Sequence, residues 1–254
     1  MASQERCPFG RSPLAALKRE HEQGIPMAIA AVALFGSRAR GDQSPDSDTD
    51  LLLVSTQPGQ PLHTSMGPVS LSTYGINDLT EKAENGDLFV WHCLFEGRAI
   101  HDPEHVFDGL RARFRLRSSY ELEIGHGAAL AWLLVRFGRT MPNAALAARR
   151  ATWAVRTILI ARSAEYGSPK FSAHELETLA PIDETPRLMQ LKNTHVFDRS
   201  AAKDLRHFLE WCHLADPVPD ARVESDFDPL FIASGNSVGL HLLSHSHEDR
   251  LGYG

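Results

Sequence analysis

Leu34-Phe35-Gly36-Ser37-Arg38-Ala39-Arg40-Gly41-Asp42, followed by Ser47-Asp48-Thr49-Asp50-Leu51-Leu52-Leu53-Val54, is the stretch on which the fold turns. The run Met27 to Phe35 is apolar throughout, stops at Gly36, and is mirrored by a second apolar run from Thr49 to Val54. Short continuous runs bounded by turn residues predict strands buried on both faces. The turn-rich segment between them, Gly36 to Asp46, carries the chemistry. A strand that ends in Gly-Ser presents backbone N–H groups and a hydroxyl to phosphate oxygens, because glycine lets a ligand approach the main chain closely. Asp48 and Asp50 are two apart on an extended segment, so both side chains leave the same face and can share a hard cation.

Working outward, Val69 to Tyr74 is a third apolar run, set off by Pro58, Gly59, Pro61, Gly67 and Pro68, so three strands are expected. Helical spacing then takes over, around Asn77 to Asn85 and from Asp87 to Glu96, where Gly97 is placed to end a helix. Tyr120 to Phe137, Ala144 to Tyr166 and Ala201 to Leu214 read as further helices, separated by Pro142, Gly167, Pro169, Pro181 and Pro186. A short helix is also expected at Pro13 to His21. Strands first and helices later predict an α+β protein: a small mixed β-sheet domain with flanking helices over 1–110, then an α-helical bundle over 111–254, dividing near Asp108 to Arg117. The tail from Pro217 mixes Pro, Asp and Ser with apolar pieces and yields no assignment.

Composition excludes several classes. Hydrophobic residues at 43% and charged residues at 23% are ordinary globular usage, against disorder or a fibrous chain. A formal net charge of -6 argues against bulk nucleic-acid binding, and the evenly spaced Arg111, Arg113, Arg115 and Arg117 read as a solvated helix face. Cys7, Cys93 and Cys212 have neither disulfide nor metal-ligand spacing. No apolar run reaches the roughly 18 to 20 residues of a membrane span, and the stretch with Glu5, Arg6 and Pro8 is not a signal peptide, so a cytoplasmic protein is expected.

The segment resembles the polymerase-β-type nucleotidyltransferase superfamily, especially its minimal bacterial and archaeal members. The shared features are Gly36-Ser37, the flavour of Arg38-Ala39-Arg40-Gly41-Asp42, and Asp48-x-Asp50, with residues 38–47 between serine and first aspartate. Trp91-His92-Cys93-Leu94-Phe95-Glu96-Gly97-Arg98 is similar to the helix, ending in Glu-Gly, that closes these small domains. The resemblance, over roughly residues 25 to 105, implies that Asp48 and Asp50 hold Mg²⁺ as catalytic carboxylates. It implies that Gly36, Ser37, Arg38 and Arg40 bind a nucleoside triphosphate, with ATP the expected one. One departure stands out. The family adds a third carboxylate on the neighbouring strand, and here that strand offers Ser70 and Ser72 on the relevant face, while Asp78 and Glu81 read as an ordinary helix start.

The expected function is transfer of a nucleoside monophosphate to an acceptor hydroxyl on a small molecule, a protein or an RNA end. The rival is a catalytically silent module that binds nucleotide or a partner protein, as in an antitoxin or regulator. The later helices resemble the bundles that accompany such transferases, including the HEPN bundle. Arg206 with His213 fits the ribonuclease spacing of the latter but reads as a solvated helix face. Asp226-Phe227-Asp228 reads as structural, His241, His245 and His247 as surface residues, and Trp132, Trp153 and Trp211 as core packing.

Overall fold

The computed structural model describes residues 28–45 and 47–251, with side chains through Ser244. The expected helix at Pro13 to His21, the first strand's start at Met27, Cys7, Asp46 and the side chains of His245 and His247 lie outside the described residues. The chain divides into two compact units, Met1–Glu81 with Glu96–Ala112, and Lys82–Phe95 with Arg113–Gly254.

The first unit is built on β1 (Ile29–Phe35), α1 (Ser37–Arg40), β2 (Thr49–Ser55), β3 (Leu62–Met66) and β4 (Val69–Gly75). α2 (Ile76–Glu84), which runs on into the second unit, β5 (Arg98–His101) and α4 (Val106–Arg113) follow, while α3 (Leu88–Trp91) and the π-helical turn (His92–Glu96) that come between them in the chain fall, up to Phe95, in the second unit. The five strands form one mixed sheet in the order β3-β4-β2-β1-β5, with β2 and β4 parallel and the other pairs antiparallel. At its centre Ala31, Ala33, Leu52 and Val54 are buried and register places them on one face, whereas Val32, Leu51 and Leu53 on the other face are only half-buried, so the expected burial on both faces holds fully for one of them. Five strands replace the three expected. β3 and β5 are edge strands whose residues are all exposed, so neither needed an apolar run to form; each is held by main-chain pairing to one neighbour.

The second unit is helical, with α5 (Glu121–Phe137), α6 (Ala144–Glu165), α7 (Ala173–Leu179), α8 (Glu184–Thr194), α9 (Arg199–Trp211), α10 (Asp228–Ser234) and α11 (Ser237–Leu251). α5 and α6 pack at close range because α5 presents Gly127: a Cβ there would sit 2.9 Å from the Ala154 carbonyl and 2.8 Å from Ile158 Cγ1. Pro186 does not separate helices as expected. It lies in the first turn of α8, where the missing N–H would have had no intrahelical acceptor. The tail is ordered into α10 and α11, and Asp226 serves the turn before them by accepting from the Arg222 and Val223 amides at 2.6 and 3.0 Å. α4 covers Arg111 and Arg113 only; Arg117 lies beyond it, paired with Glu123 and stacked on Tyr120. Trp132 is buried and donates to the Leu214 carbonyl, whereas Trp211 is 38% exposed.

Candidate active site

β1 delivers the chain to Gly36 at the edge of the sheet where β2 begins. Phe35 pairs with Asp50 across β1 and β2, so the glycine and the second aspartate meet at one level. Gly36 has φ 76° and ψ -161°, a conformation that is essentially glycine's alone. The second reason for glycine is space. A Cβ on Gly36 would lie 2.4 Å from Asp50 Oδ2 and 3.2 Å from its Cγ, so the carboxylate rests directly against the turn's backbone. Asp48 is exposed and precedes β2 by one residue, and alternation along the extended segment assigns it the face that Asp50 occupies.

Beyond Gly36 the chain makes one short turn. Ala39 and Arg40 donate to the Gly36 carbonyl, and Gly41, in the left-handed region at φ 84°, ends α1 with its N–H on the Ser37 carbonyl. The loop back to β2 is tied down by Arg38. Its Nε donates to the Ser47 carbonyl at 3.1 Å and the Asp48 carbonyl at 3.2 Å, and Nη2 donates to Ser47 at 2.7 Å. This planar fork fixes the backbone from which the Asp48 side chain departs. Ser44 and Ser47 close the loop further through a 2.9 Å bond from the Ser44 amide to Ser47 Oγ. Arg40 is bound differently, by Asp42 at 3.1 Å and by Glu96 at 3.0 Å. Both expected nucleotide-binding arginines are thus anchored by protein groups, and Glu96 enters the site's surroundings as a partner that sequence spacing did not single out.

On the other side of β2, Asp50 is in register with Ser70 and Leu52 with Ser72. The position beside Asp50 that would carry a third acid is therefore a serine. Asp78 does not substitute. Its carboxylate lies against Gly75, five residues further along β4 than Ser70, roughly 16 Å at about 3.3 Å per residue. Glu81 is exposed on α2. The Asp50 face instead holds a hydrogen-bonded group that sequence reading missed because β3 was invisible: His63 Nδ1 and Ser72 Oγ are 2.9 Å apart, and His63 Nε2 and the Tyr74 hydroxyl 3.2 Å. Among the described residues no cluster of three or more His, Cys, Asp or Glu is arranged to hold a metal. Asp50 lies against Gly36 and alternation puts Asp48 on the same face; a pair of carboxylates is a donor set that suits Mg²⁺ when triphosphate oxygens complete its shell.

Residues 14–90 match the family described as the nucleotidyltransferase domain. Over this part the chain is similar to nucleotidyltransferase domains. The match contains the Gly36-Ser37 turn, Asp48, Asp50 and Ser70, so the sheet edge described above lies within the matched segment. No curated protein matches the chain. Among solved structures, the chain is similar to a nucleotidyltransferase-like protein from Exiguobacterium sibiricum, at 17% identity over 86% of this chain and 78% of that one, with a TM-score of 0.34. No described helix is long and apolar enough to cross a membrane.

Arg206, His213 and His241, read from the sequence as surface residues, are exposed. Arg206 lies over the Trp132 ring at 5.4 Å, and His213 sits past the end of α9 with φ 55°. His241 Nδ1 is 3.4 Å from Arg150 Nη2.

Proposed function

We propose that the chain transfers a nucleoside monophosphate from a nucleoside triphosphate, ATP by preference, to an acceptor hydroxyl, with release of pyrophosphate and dependence on Mg²⁺. The observation that carries this is the contact between Asp50 and the Gly36 backbone, which puts a phosphate-accepting turn and a cation-binding carboxylate at one sheet edge. In this reading Asp48 and Asp50 hold the cation, and the Gly36-Ser37 turn receives the phosphates. Arg38 keeps the Asp48 backbone in place and adds positive potential. The cation, when bound, supplies charge neutralisation at the triphosphate. The acceptor oxygen attacks the α-phosphorus, the bond to the bridging oxygen breaks, and pyrophosphate leaves with the electron pair. The acceptor proton goes to water, since Ser70 beside Asp50 is no base.

The test is incubation of the full chain with each α-labelled triphosphate and Mg²⁺, wild type against Asp48→Ala plus Asp50→Ala. Pyrophosphate release or label transfer that is lost in the double variant supports the reading. Nucleotide binding without turnover identifies a silent binding module instead, and turnover that survives the double substitution removes the two aspartates from the mechanism.

A further inference from the structure

β3 ends the sheet on one side, and its outer edge pairs with no strand among the described residues. Edge strands are ordinarily guarded by charge, proline or brevity, because unpaired N–H and C=O groups template a further strand. β5, at the other edge, is four residues long and carries Arg98. β3 is five residues long, follows Pro61 and has no charge to guard it: it reads Leu62-His63-Thr64-Ser65-Met66, and from Leu51 to Asn77 the chain contains no Asp, Glu, Lys or Arg. That is a long neutral window for a chain that is 23% charged. The window matters because two copies, each with net charge -6, can approach along it without like charges meeting.

The side chains of β3 are also self-complementary. Leu62 and Met66 are 59% and 61% exposed, and alternation puts them with Thr64 on one face. Antiparallel pairing of β3 with a second β3, about a two-fold axis at Thr64, sets Leu62 opposite Met66 of the second copy and Met66 opposite Leu62. Both exposed apolar residues of each copy are then covered by apolar partners, and His63 faces Ser65 on the other side of the joined sheet. We propose that the chain forms a two-fold dimer through β3, joining two five-stranded sheets into one of ten. The arrangement is closed, since each copy has one β3 edge and the pairing uses it.

The interface is small and belongs to the weak class, so dimer is expected at protein concentrations on the order of 100 μM. Sedimentation velocity of the full chain from about 1 μM upwards measures it, with circular dichroism confirming that each variant is folded. Wild type is expected to pass from monomer to dimer. Leu62→Lys with Met66→Lys sets lysine against lysine across the axis and is expected to stay monomeric throughout. Leu62→Lys with Met66→Glu sets lysine against glutamate in the same register and is expected to restore the dimer. Wild type that remains a monomer overturns the proposal, as does a lysine–glutamate variant that stays monomeric while folded. A dimer indifferent to both variants places the interface elsewhere, and open-ended association signals heterologous pairing of β3 with β5; each of these overturns it too.

Discussion

Replacing Gly36 by alanine separates two effects that the structure superimposes at one atom. The first is backbone strain: φ 76° with ψ -161° is a region that an L side chain occupies at a cost of about 1–3 kcal/mol. The second is steric. The new methyl would lie 2.4 Å from Asp50 Oδ2, well inside van der Waals contact, but that oxygen is the far end of a rotatable side chain and can swing away. The swing costs about 0.5–1.5 kcal/mol if it forces an off-rotamer torsion. Stability should therefore fall mainly through strain, whereas nucleotide and cation binding should fall through the displaced carboxylate. Urea denaturation of Gly36→Ala, Asp50→Ala and the double variant resolves the two. The strain persists without Asp50 and the clash does not, so the double variant should be more stable than additivity predicts by about 0.5–1.5 kcal/mol. Strict additivity refutes the contact. An unchanged midpoint for Gly36→Ala refutes the strain, and Mg²⁺–ATP affinity that survives in Gly36→Ala refutes a role for the Asp50 position in binding.

Other substitutions probe neighbouring parts of the argument. Arg38→Lys keeps the charge and loses the fork, so amide exchange in residues 42–48 should speed up roughly five- to tenfold, as should Arg38→Ala; nucleotide affinity should drop clearly only in the alanine variant. Ser70→Asp places an acid in register with Asp50 and should raise turnover at least about a hundredfold, the lower end of what general bases supply; no gain would show that this position is not where an acid acts. Gly127→Ala pushes a methyl against the Ala154 carbonyl, which cannot yield without parting α5 from α6, and should destabilise the helical unit by about 1–3 kcal/mol in thermal unfolding. The amides of Val223 and then Arg222 hold the Asp226 carboxyl below its ordinary range. A depressed acid stabilises above its unfolded value and loses that stabilisation as pH falls. Exchange at the Arg222 and Val223 amides should accordingly accelerate, relative to neighbouring amides, on acidification below the usual carboxylate range, and Asp226→Ala should abolish that pH step.

What could be read from the sequence follows from where burial sits. β1, β2 and β4 are interior to the sheet, and their stretches announce themselves as apolar runs. Leu62-His63-Thr64-Ser65-Met66 and Arg98-Ala99-Ile100-His101 carry no such run, because an edge strand open to solvent is chosen by its neighbour's hydrogen bonds, a tertiary fact. The π-helical turn at His92–Glu96 and the ordered tail were illegible for a related reason: each depends on packing, and no local spacing encodes it. Pro186 misled because a proline's effect depends on whether it falls in the first turn or later.

The candidate site divides in the same way. Gly36-Ser37 and Asp48-x-Asp50 are local patterns, so their placement beside each other at a sheet edge could be argued from spacing alone. The roles of Arg38 and Arg40 could not, because Arg40's partner Glu96 is 56 residues away. The partners now separate two arginines that spacing left equivalent. Arg40 meets two carboxylates, Asp42 and Glu96, which cancel its charge locally. Arg38 donates to the carbonyls of Ser47 and Asp48, which are dipoles and leave the positive charge standing. Under the proposed function, Arg38 is therefore the one of the two whose field an incoming triphosphate would meet, even though its hydrogen bonds are spent on the loop.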